Sequence, residues 1–309
     1  MTTGFDNNDY SVLIGNLLND TRYVAVSNMG KMGGLRKHAE ILVRKILNIG
    51  SDSSLMLGEV KLNSRNTAVA TGLSRISFPG TTICNDFIRI VKDINQIARQ
   101  GNHTQRITDF TNEEITQVED LIFDLYAMMF VIFFMNHHVD LYFSSLILHD
   151  FSYLPPIIRF KTWNYLYSID KYNLQVANKL CLAIIKTYGK EAAFQWLEDN
   201  EEDIRKIPYP SESEIRDYIL KCGMEVEPGK YAISIKLPQF NNMYDLLLDK
   251  IQDPKTSINE RGKMYSNFEE AITYFNKRIP FYETTEAYSD FSSLIQFVFL
   301  GRKSKSDLG

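Results

Sequence analysis

Apolar residues recur along most of this chain at helical spacing. Leu35, Ala39, Leu42 and Ile46 fall on one face, with Val43 and Leu47 beside them. This predicts a helix over Leu35–Leu47, preceded by Gly33-Gly34 and followed by Gly50. Phe87, Ile90, Val91, Ile94 and Ile97 predict a second helix from Phe87 to about Arg99. Gly101 stands where a left-handed C-terminal cap is expected. A third helix starts at a capping box, Thr111 with Glu114, in which each side chain satisfies a free amide of the first turn. Ile115, Val118, Ile122, Leu125, Met129 and Ile132 then line one face, and Phe123, Tyr126, Phe130 and Phe133 cover another. A helix apolar on most sides is a central one. Residues 1–150 therefore read as an α-helical domain.

Leu154-Pro155-Pro156 marks a boundary, because the residue before a proline is pushed out of the helical region. Arg159 to Asp199 is again helical in pattern, and Ile207-Pro208-Tyr209-Pro210 is a second break. Ser211 and Glu214 form another capping box before a helix that Gly223 ends. The period then changes to two. Tyr231, Ile233, Ile235 and Leu237 alternate with small or polar residues, and Pro228-Gly229 joins them to Met224-Glu225-Val226. That predicts a small β-hairpin at about 224–237. A last helix is expected over Ser257–Lys277, capped by Ser257 and Glu260 and carrying Met264, Phe268, Ala271, Ile272 and Phe275. The closing GRKSKSDLG is polar and is expected to fray.

Composition narrows the class. Apolar residues make up 44% and charged residues 23% of 309 residues, the range of a globular protein of two domains. A net charge of −4 excludes a globally basic nucleic-acid coat and leaves room for a local basic groove. Cys84, Cys181 and Cys222 are odd in number and far apart, which fits buried thiols in a reducing compartment. No basic segment precedes an apolar core at the N-terminus, so a cytoplasmic protein without a secretory signal is expected. The most apolar run, Leu125–Met135, is too short to span a bilayer.

Three segments together resemble the HEPN-like domain family of unknown function found in prokaryotic restriction and defence proteins. Glu40-Ile41-Leu42-Val43-Arg44 matches an E-x-L-V-R pattern, Gly101-Asn102 the centre of an IR-x-x-GN-x-x-x-H pattern, and Thr111-Asn112-Glu113-Glu114 a T-x-E-E helix start. The resemblance covers about residues 20–140. It implies a helical bundle that pairs as a homodimer and meets nucleic acid, RNA or DNA. In active members an arginine and a histidine converge on an RNA phosphate, the histidine moving a proton and the arginine stabilising negative charge, with no metal. Counting from Gly101, the family arginine falls at Ala98 and the family histidine at Arg106. The catalytic candidates here are the displaced Arg99 and His103, and Arg99, Asn102 and Arg106 are the nucleic-acid-binding candidates.

Other constellations have plainer readings. Asn136-His137-His138-Val139-Asp140 holds metal-ligand types, but adjacent helical histidines diverge by about a third of a turn. A polar exit from an apolar helix accounts for it. The helix before the hairpin, with Lys221, Lys230 and Lys236, has the look of a winged-helix end, and Glu225 and Glu227 oppose that use. From Tyr244 the chain resembles the leading helix of restriction-endonuclease-like domains through Asp253-Pro254, Thr256-Ser257, Glu260 and Gly262. That resemblance makes Glu269 or Glu270 a metal-coupled candidate. The converging Asp and Glu-x-Lys strands of such a nuclease do not follow.

The sequence thus describes a mainly α protein. A HEPN-like helical bundle spans 1–150. A helical connector with one small hairpin spans 157–309, with the possible start of a nuclease-like domain from about 244. The expected role is a component of a prokaryotic nucleic-acid defence or restriction system, its front module a non-catalytic dimerisation or recognition element. The alternative is a metal-independent endoribonuclease using Arg99 and His103. Neither a cofactor nor a metal is called for. A nuclease partner is expected, and a membrane is not.

Overall fold

The computed structural model describes residues 4–102, 107–140, 142–222, 224–227, 230–232, 240–256, 267–278 and 285–308. The chain is mainly helical. In order it forms α1 (Asn7–Leu18), a π-helical turn (Asn19–Tyr23), α2 (Asn28–Leu47), α3 (Thr67–Arg75), α4 (Ile83–Ala98) and a 3-10 turn (Arg99–Asn102). There follow α5 (Asn112–Asn136), α6 (Ser145–Phe151), α7 (Pro156–Ile169), α8 (Leu174–Tyr188), α9 (Lys190–Asp199), α10 (Glu201–Arg205) and α11 (Glu212–Cys222). Two short segments, β1 (Met224–Glu227) and β2 (Lys230–Ala232), pair antiparallel with Glu225 opposite Tyr231. The rest of the expected 224–237 hairpin lies outside the described residues. The last helices are α12 (Met243–Gln252), α13 (Phe268–Lys277) and α14 (Glu286–Phe299).

Two compact units result. One comprises residues 1–133 with 283–309, and the other residues 134–282. The sequence division near 150 runs through the second unit instead. Pro156 opens α7 as its first helical residue, where a missing N–H costs nothing. The C-terminal segment joins the first unit for a packing reason. Phe291 of α14 is fully buried, with its ring 5.9 Å from that of Phe130 and 5.4 Å from that of Phe133. The polar tail is anchored, contrary to the expected fraying. Arg302 and Ser304 are buried, and Lys303 donates its backbone N–H to Tyr23 Oη and its Nζ to Asn19 Oδ1.

Helix ends follow local chemistry. Thr111 N–H donates to Glu114 Oε2 at 2.8 Å and Glu114 N–H to Thr111 Oγ1 at 3.2 Å, the reciprocal box that starts α5. Ser211 and Glu214 repeat it before α11. The apolar character of α5 on all sides is used up inside the chain, since Val118, Leu125 and Phe130 are fully buried. In α2 the helix begins earlier than the spacing suggests. Ser27 caps Gly30, so Gly33 and Gly34 lie within the helix. A Cβ built on Gly34 would sit 2.3 Å from Thr21 Cγ2, so glycine there admits the π-helical turn against α2. The helix ends on left-handed Asn48, φ 53°, before Gly50 is reached. α4 runs on from Ala98 into the 3-10 turn through Arg99–Asn102 rather than stopping at a left-handed Gly101. The expected Ser257–Lys277 helix is described from Phe268 only, where Asn267 Oδ1 accepts from Glu270 N–H; the Ser257–Glu260 start lies outside the described residues.

Candidate functional site

The family-like segments fall on α2, on the turn after α4 and at the start of α5. Arg44 is held by its own neighbourhood. One guanidinium nitrogen donates to the carbonyls of Gly50 and Ser53, both at 2.9 Å, and so fastens the loop after α2. Glu40, one turn earlier, is half-buried. Burial pushes its carboxyl above the ordinary value, and nearby Arg44 and Arg36 offset part of that rise. Arg99 is exposed on the 3-10 turn. Asn102 closes that turn. His103 and Arg106 lie outside the described residues, so the structure brings none of these candidates together in a described cluster.

The other sequence candidates are dispersed. Asp140 accepts the backbone N–H of Tyr142 through Oδ1, and no group of metal-ligand residues able to hold an ion occurs among the described residues. Glu269 and Glu270 sit in the first turn of α13, where acidic residues favour the helix start. The segment after them is α14, a helix of the first unit. Lys221 lies over the ring of Tyr142, 5.1 Å from its centroid.

Two polar arrangements escaped the sequence reading. The first is a buried chain in the first unit. His38 Nε2 lies 2.8 Å from Tyr126 Oη, and Arg302 donates to the same oxygen at 3.2 Å. Tyr126 satisfies both neighbours by accepting from Arg302 and donating to a neutral His38. Burial, then the charges of Arg302 and Arg22, hold His38 down at about 3. This chain joins α2, α5 and the C-terminal segment and is shut from solvent.

The second arrangement is a cleft of 90 Å³ in the second unit, lined by α6, α7 and α8. Phe151, Trp163 and Leu182 give it an apolar wall, and Arg159, Lys179 and Lys186 bring cationic side chains to it. Helical spacing explains the convergence. Lys179 and Lys186 are two turns apart on α8, and Arg159 and Trp163 one turn apart on α7. Lys179 makes no hydrogen bond or ion pair among the described residues, and its electrostatic neighbours are the cations Lys250 and Lys186. Burial and those like charges bring its ammonium down to about 8. Lys250, also brought down to about 8 by burial, donates to Asn178 Oδ1. The buried carboxylate on α6, Asp150, faces Arg278 at 3.7 Å.

No family model, curated protein or solved structure matches this chain. No described helix is long and apolar enough to cross a membrane.

Proposed function

We propose that the protein is a non-catalytic helical module of a prokaryotic nucleic-acid defence or restriction system. In this reading it works in the cytoplasm, pairs as a homodimer through its front segment, and recognises nucleic acid or docks a nuclease partner. The segments 40–44, 101–102 and 111–114 supply the class by resemblance. The observation that carries the non-catalytic part is the spacing around Gly101, which sets Ala98 where the family has its arginine and Arg106 where it has its histidine. Arg44, in the first matching segment, gives one guanidinium nitrogen to the Gly50 and Ser53 carbonyls and so serves as a staple of α2. Exposed Arg99, on the turn with Asn102, favours a phosphate contact there and keeps the endoribonuclease with His103 as the second reading.

The test is a digest of tRNA and mixed RNA in EDTA, run beside anisotropy of labelled RNA and DNA. The expected result is no cleavage, with salt-sensitive binding weakened by Arg99→Ala. Cutting that survives EDTA and vanishes in His103→Ala overturns the module in favour of the ribonuclease. Cutting that needs magnesium and ignores His103 sinks both readings.

A further inference from the structure

We infer that the cleft bounded by α6, α7 and α8 is a binding site for a phosphoryl group, either free phosphate or the monoester end of a small nucleotide. Three features point there. First, one guanidinium and two ammonium groups line one small space, through Arg159, Lys179 and Lys186. A guanidinium fork matches two oxygens of a tetrahedral oxyanion, and the ammonium groups supply point charges around the others. Second, Lys179 is a mostly buried cation whose electrostatic neighbours are cations. Burying a charge without a partner is costly, and an anion in the cleft removes that cost. Third, the space is the right size. The 90 Å³ cleft has room for a phosphoryl group and opens to solvent. The rest of a nucleotide would stay outside. The wall of Phe151, Trp163 and Leu182 lowers the local dielectric on one side, which strengthens each charge–charge contact.

The site is independent of the front-segment reading, since a chain that ignores RNA can still hold phosphate here. Its depressed ammonium makes Lys179 the handle for a test, because an amine titrating near 8 acylates readily at mildly alkaline pH. The full chain is labelled with a limiting amine-reactive acyl ester at matched ionic strength, and labelling of Lys179 is read by peptide mass spectrometry. The additives are sodium chloride, inorganic phosphate, adenosine monophosphate and adenosine. Phosphate and the monophosphate are expected to slow labelling of Lys179 severalfold, while chloride and adenosine leave it unchanged. Stronger protection by the monophosphate assigns the site to a nucleotide, and equal or stronger protection by phosphate assigns it to the free anion; both uphold it. In Lys186→Met, protection should need at least tenfold more phosphate. Should that variant fail to fold, the wild-type protection series decides alone. Labelling of Lys179 that is equally fast in chloride and in phosphate overturns the proposal.

Discussion

Replacing His38 by glutamine should make the protein less sensitive to acid. His38 is 5% exposed, with its ring edge-on to Tyr126 at 5.8 Å between centroids. In the fold it stays neutral down to about 3, because burial and the charges of Arg302 and Arg22 oppose an imidazolium. In the unfolded chain an imidazole takes its proton near its ordinary value of about 6.5. The folded value is therefore the lower one. Stability from neutral His38 is fully present above about 6.5 and is lost as pH falls toward the folded value, at about 1.4 kcal/mol per pH unit. At about pH 5 the loss is about 2 kcal/mol. Glutamine cannot titrate in this range, and its side-chain oxygen can still accept from the Tyr126 hydroxyl. Urea unfolding of both proteins, near neutral pH and at about pH 5, measures the effect while the carboxylates cancel in the comparison. The variant should lose about 2 kcal/mol less than the wild type on acidification. Identical pH dependence in the two proteins would refute the burial of a neutral imidazole at this position.

Phe291→Ala should destabilise the first unit by about 3–5 kcal/mol, because it empties a fully buried ring site against Phe130 and Phe133. A loss below about 1 kcal/mol in urea unfolding would mean that α14 does not belong to that core. Thr111→Ala should cost about 1 kcal/mol by removing the oxygen that caps Glu114 N–H, and an unchanged melting temperature would place the start of α5 elsewhere.

Features that depend on neighbours within a few residues were legible in the sequence. The stripe of α4 from Phe87 to Ile94 is buried as its spacing implied. The Thr111 and Ser211 boxes form as written, because a capping side chain reaches amides only two or three residues away. The all-round apolar surface of α5 announced a central helix. What the sequence left unmarked was decided at long range. Gly33 and Gly34 looked like a boundary, but the helix is capped earlier at Ser27, and the close approach of Thr21 gives Gly34 its reason inside α2. A tail that is polar by composition is fixed because Arg302 reaches Tyr126, 176 residues away in sequence. His38 finds its partner 88 residues on, with no periodic signal joining the two. The spacing of Lys179 and Lys186 was readable as one face of a helix, but the same spacing suits a solvated face. Only the packing of α7 against α8, which sets Arg159 and Trp163 opposite, turns it into a cleft. Periodicity records which side of an element is apolar, and tertiary packing alone decides which charges that side encloses.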